Sequence, residues 1–127
     1  MIAVPHSLVI LLRSGDWTSR HLATNLAITA AALGDEVYVA LFGDALQAYA
    51  GGRFAEGAPA TAAGAGVPPL DGTLTEARRD LGVRVVACDT ALRLAGVDPK
   101  QAVPPLDEVM SLPALWRVVQ GGRSLSI

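Results

Sequence analysis

Cysteine is almost absent from this 127-residue chain: Cys88 stands alone. A lone cysteine excludes an internal disulfide framework and a cysteine-rich metal site, and it fits a reducing, cytoplasmic compartment. Histidine is nearly as scarce, with His6 and His21 apart from each other and far from Cys88. No HExxH, HxxE or histidine–cysteine spacing occurs, so no metal is expected. A Cys-His-Asp hydrolase would need one of these histidines to reach Cys88, and nothing in the spacing supports it. Lysine is represented by Lys100 alone, and ten Lys and Arg against twelve Asp and Glu leave a formal net charge of −2. That balance supplies no basic field for nucleic acid.

Long apolar runs are missing too. The segment 7–12 is stopped by Arg13 and falls well short of the ~20 residues of a membrane span. Residues 1–7 lack the basic start of a signal peptide. Neither a GxGxxG nor a GxxxxGK[ST] pattern follows the first predicted strand, so the glycines carry no nucleotide fingerprint. Nucleotide binding stays open but gains nothing from the motifs.

What the chain does hold is aliphatic bulk. Hydrophobic residues make up 51% and the mean hydropathy is +0.39. A single domain of this length has too little interior for all of it. The excess points to an interface between copies.

Alternating hydrophobic runs and breakers give an order of elements. A strand at 8–12 leaves through Ser14, Gly15 and Asp16, with Ser14 or Asp16 as N-cap of a helix over 17–33. Leu22, Leu26, Thr29, Ala30 and Leu33 form its predicted buried stripe. A strand at 36–42 follows, then a short helix at 45–50 capped by Gly43 and Asp44. Residues 55–69, rich in alanine, glycine and proline, read as a mobile loop. A helix at 74–81 is expected to turn Leu74, Ala77 and Leu81 inward and Glu76, Arg78, Arg79 and Asp80 to water. Asp71 or Thr73 precedes it. A short strand at 107–110, a helix capped by Ser111 with Pro113 in its first turn, and an edge strand at 123–127 complete the chain. Trp17 and Trp116, each near a helix start, read as core or interface anchors. Strands alternating with helices define an α/β protein, a three-layer α/β/α domain with a mostly parallel five-stranded sheet.

The stretch around Cys88 organises the rest. Val83, Val85 and Val86 form a β-branched run of the kind buried on both faces. Ala91, Leu92, Leu94 and Ala95 continue as a helix closed by Gly96. Cys88 sits at the switch, with Asp89 and Thr90 as capping residues behind it. Amide N–H groups and the positive end of a helix at that point favour a thiolate. Open α/β sheets place ligands at the carboxyl ends of their strands, where Ser14, Gly15, Asp16 and Cys88 are all expected.

The run Ser14-Gly15-Asp16 before a long alanine-rich helix, the run from Gly34 to Asp44, and above all Gly82-Val83-Arg84-Val85-Val86-Ala87-Cys88-Asp89-Thr90 followed by Gly96-Val97 resemble the DsrE-like family. That family also includes the TusBCD and YchN-like proteins. The resemblance implies a small α/β/α fold assembled as a homo-oligomer, a trimer or hexamer. It implies a sulfurtransferase-like relay in which Cys88 carries sulfur as a persulfide between a donor and an acceptor protein. The N–H groups of Thr90 and Ala91 are expected to stabilise the sulfur anion. The rival readings are a scaffolding subunit with Cys88 packed in the core, and a small-molecule module at the sheet edge near Ser14 and Gly15.

Overall fold

The computed structural model describes residues 6–127. Most of the N-terminal stretch that bears on a signal peptide lies outside them. Strand β1 (Ser7–Leu12), helix α1 (Trp17–Ala32) and strand β2 (Glu36–Leu41) form the first crossover unit. Helices α2 (Gly43–Ala50), α3 (Ala60–Gly64) and α4 (Leu70–Leu81) lead to β3 (Arg84–Cys88) and α5 (Asp89–Ala95). Strand β4 (Glu108–Met110), helix α6 (Leu112–Gln120) and strand β5 (Arg123–Ser126) close the chain.

All five strands run parallel, in the order β4-β3-β2-β1-β5. Right-handed crossovers explain where the helices go. From β1 to β4 the chain steps one way across the sheet, so α1, α2, α4 and α5 share one face. The return from β4 to β5 crosses the whole sheet, which carries α6 to the opposite face. The core divides accordingly. On the first face Ile10, Leu12, Val37, Val39, Leu41, Val85 and Ala87 pack against those four helices. On the second, Val9, Ala40, Val86 and Met110 pack against Leu115 of α6. The three interior strands are apolar on both faces because both are covered. The edge strands are three and four residues long, which leaves little backbone open to stray pairing.

Several elements differ from the expectation. Helix α1 turns Arg20, Ala23, Thr24 and Ala27 inward, whereas Leu22 and Leu33 point out. That face is turned by roughly a third of a turn from the predicted stripe: Leu26 and Ala30 still pack against the core, while Leu22, Thr29 and Leu33 are exposed. The inner side is lined by small residues, Ala23, Ala27 and Ala31, while the bulkier Leu22 and Leu33 lie off it, so a reading by hydrophobic bulk is drawn to the wrong side, and the small residues let the helix approach the sheet closely. Arg20 is buried because its guanidinium meets carbonyl oxygens: Nε donates to Gly15 (3.2 Å), Nη1 to Arg53 (3.4 Å) and Phe54, and Nη2 to Glu56 (2.6 Å).

Helix α2 begins at Gly43, with Phe42 rather than Gly43 or Asp44 at the cap position. Helix α4 begins at Leu70 after Pro69, so Asp71 lies inside its first turn and Thr73 in the helix proper. Leu70, Leu74 and Ala77 are buried, while Leu81, expected inward, is exposed at the end of the helix. Arg78 does not face water. It grips Asp107 through Nε (2.9 Å) and Nη2 (2.8 Å) and donates to the Tyr49 hydroxyl (2.7 Å). Residues 55–69 are not without structure: they contain α3, with Ala62 buried and Val67 N–H donating to the Ala62 carbonyl (3.0 Å).

Candidate functional site

Strand β3 is interior, flanked by β2 and β4, and Cys88 is its last residue, opposite Met110. The expectation that Asp89 and Thr90 cap the following helix is corrected by the geometry. Cys88 itself is the N-cap of α5, in extended backbone (φ −83°, ψ 153°), and its Sγ accepts the Ala91 N–H at 3.2 Å. The Thr90 N–H is taken by the Asp89 carboxylate at 2.9 Å, so Ala91 and not Thr90 supplies the amide donor to sulfur. Asp89 also meets Arg93 one turn on, at 3.4 Å, in an exposed pair worth little on its own.

Cys88 is 4% exposed and packs with the larger core. It nonetheless lines an open cavity of about 480 Å³. Phe42, Asp44 and Gln47 wall this cavity from the end of β2 and the start of α2. Thr90 and Leu94 contribute from α5, and Leu112 from the first turn of α6.

Ser14, Gly15 and Asp16 do not line that cavity. Strand β2 lies between β1 and β3, so the turn after β2 intervenes. Asp16 instead caps α1, accepting the Ser19 N–H (3.1 Å) and hydroxyl (2.7 Å), and the Ser14 hydroxyl also donates to it. The Ser14 bond, then the two from Ser19, bring its carboxyl from 3.8 down to about 2. Gly15 touches the edge of the site: a Cβ there would stand 2.6 Å from the Asp44 Cβ, so the two turns meet only because glycine has none.

Asp44, Phe42, Gln47 and Leu112 are the wall residues that sequence reasoning missed. Their signal was positional. In a parallel sheet the residues just after one strand flank those just after its neighbour, and only the strand order was wanting.

Neither histidine lines the cavity. His21 stacks on Trp17, ring centroids 4.7 Å apart, and Trp17 packs against the core. Trp116 differs, being 58% exposed. Among the described residues no three His, Cys, Asp or Glu side chains cluster to hold a metal, and no helix is long and apolar enough to cross a membrane.

The architecture defines a class: three-layer α/β proteins with a five-stranded parallel sheet. Within it, the structure of MTH1491, a protein of unknown function from Methanobacterium thermoautotrophicum, is similar over 96% of this chain and 99% of that one, with a TM-score of 0.63. Sequence identity is 20%, so the likeness establishes the fold alone. No protein-family profile matches the chain, and no curated protein matches it.

Proposed function

We propose that this is a sulfur-relay protein of the DsrE-like kind, a cytoplasmic homo-oligomer that carries sulfur on Cys88 without a cofactor and passes it to a partner protein. The observation that supports the reading is the setting of one atom. Cys88 Sγ accepts an amide N–H at 3.2 Å while bordering an open cavity at the carboxyl end of an interior strand. A donor N–H aimed at Sγ stabilises negative charge on that sulfur, which is where the attacking thiolate carries it.

The chemistry is thiol exchange at the outer sulfur. The Cys88 thiolate attacks the terminal sulfur of a donor persulfide, R–S–SH. The new Cys88 S–S bond forms as the donor's S–S bond breaks, and the electron pair leaves on R–S⁻. An acceptor thiolate reverses the step, taking the terminal sulfur and returning the Cys88 thiolate. No external oxidant or reductant is consumed.

Intact mass after incubation of the reduced protein with a persulfide donor tests the reading. Wild type gains about 32 Da, one sulfur atom, which reductant removes, and Cys88→Ser gains nothing. A second reading, a scaffolding subunit, is favoured by the 4% exposure of Cys88. A mass gain that requires prior unfolding selects the scaffold and discards the carrier.

A further inference from the structure

A second cavity opens beside the first. It measures about 620 Å³, lies between α6 and the β1–β5 side of the sheet, and is walled by Leu11, Leu115, Trp116 and Val119. Phe42 and Leu112 line both cavities, so the two are neighbours across that wall and together make up an apolar trough. Each volume falls in the range of small-molecule sites, which are mostly apolar with a few polar groups.

Helix α6 shows how the opening arises. Ser111 caps it through the Ala114 N–H (3.2 Å), and Leu115 turns into the sheet. Leu112 and Trp116, four residues apart, project together on the neighbouring flank, and each stays 58% exposed. Leu94, on the far side of the Cys88 cavity, is 85% exposed. Three large apolar side chains therefore rim these neighbouring cavities and remain in water, each able to gain by being covered.

The charges are as informative. Among the described residues that line either cavity, Asp44 is the single one of a charged type, and no arginine is among them. A carboxylate or sulfonate entering the trough meets apolar walls and a like charge, with no cation to offset its desolvation.

We propose that the trough binds neutral or cationic thiols and persulfides bearing an apolar group about the size of an aromatic ring, and rejects anionic ones. The ring lies between Trp116 and Leu112, and the sulfur reaches Cys88 past Phe42. That the ligand carries sulfur rests on the function proposed for Cys88. That it is apolar and not anionic rests on the walls.

Alkylation of Cys88 in the native protein separates these two claims. N-benzyl iodoacetamide, iodoacetamide and iodoacetate share one reaction and differ in their tails, and each rate is divided by that of a free model thiol. The benzyl probe is expected to exceed iodoacetamide by about tenfold or more, the return on covering part of one ring, and iodoacetate to fall below both. Trp116→Ala and Leu112→Ser, at exposed positions that folding tolerates, each bring the benzyl preference down towards the free-thiol ratio. Asp44→Asn raises the iodoacetate rate. Equal normalised rates overturn the proposal, as does a benzyl preference that survives both α6 variants, or no native labelling by any probe. Labelling that falls with protein concentration as a dimer forms gives the trough to a second copy and overturns it too. A benzyl preference in protein that never takes up sulfur keeps the trough and removes the relay.

Discussion

Replacing Arg20 by methionine tests whether one buried guanidinium ties the segment after α2 to the rest of the fold. Its donors reach the carbonyls of Gly15, Arg53, Phe54 and Glu56, and the residue is buried. Methionine keeps the stem and removes all the donors. Bonds from a charged donor contribute roughly 1.5–3 kcal/mol each, and the guanidinium makes several of them to backbone carbonyls. Releasing the guanidinium from burial returns part of that sum, since a buried charge costs several kcal/mol in lost hydration. The difference is a net loss of about 3 kcal/mol, a large share of the ~5–15 kcal/mol that holds a domain together. For a chain of this size it lowers Tm by roughly 10–15 °C, measured by circular dichroism and checked by urea titration. Arg20→Lys keeps the charge on a single point donor and loses about half as much. Trypsin provides a local readout, because Arg53 is itself exposed. Cleavage after it accelerates in Arg20→Met more than the global loss predicts. A variant within ~0.5 kcal/mol of wild type, with unchanged cleavage at Arg53, refutes the clamp.

Asp107→Ala removes the two-pronged partner of Arg78 and the acceptor of the Val85 N–H (2.7 Å), at the point where β4 joins β3. With side chains 16% and 32% exposed the ion pair counts at a discount, and the expected loss is about 2–3 kcal/mol by urea titration; a change below ~0.5 kcal/mol denies the network a structural role. Burial pushes the Tyr49 hydroxyl from 10.0 up to about 12, against the opposing pull of Arg78. The unfolded chain thus ionises first: stability is full below pH 10, declines as pH rises through 12, and this limb is missing from an alkaline titration of Tyr49→Phe. Asp16, whose carboxyl lies at about 2 against an ordinary 3.8, works in the opposite sense. Its contribution is complete above pH 3.8, fades as pH falls through about 2, and disappears from the acid limb in Asp16→Asn.

Legibility in the sequence followed burial chemistry. Strands β1, β2 and β3 announce themselves because an interior parallel strand covered on both faces is apolar where it is buried, and the runs at 8–12, 37–41 and 85–88 are. Asp16 and Ser111 were readable as caps because their side-chain oxygens have one local task. Helix α1 hid its inner face, since that face is made of small alanines while leucines lie off it, and the charged residue that is buried, Arg20, is satisfied by distant backbone that no local pattern encodes. Arg78 was hidden for the same reason: its partners Asp107 and Tyr49 come from elements 29 residues away on either side. The position of Cys88 at the end of a strand was legible, but its walls were not, because they depend on which strand lies beside which.

That dependence also explains why the trough forms at Cys88 and not along another strand. Met110 is held opposite Cys88 by the β3–β4 register, and Ser111 alone separates it from Leu112. The chain therefore cannot start α6 without setting Leu112 against the cysteine. From there the helix must travel back across the sheet to feed β5 on the far side of β1, so Trp116 follows on the same flank and extends the wall away from Cys88. Strand β2, on the other side of Cys88, ends in the turn that supplies Phe42 and Asp44. One reversal of direction, forced by the order β4-β3-β2-β1-β5, thus brings together a sulfur atom, an apolar wall and a single negative charge. Those are the features on which the proposed chemistry and its selectivity both rest.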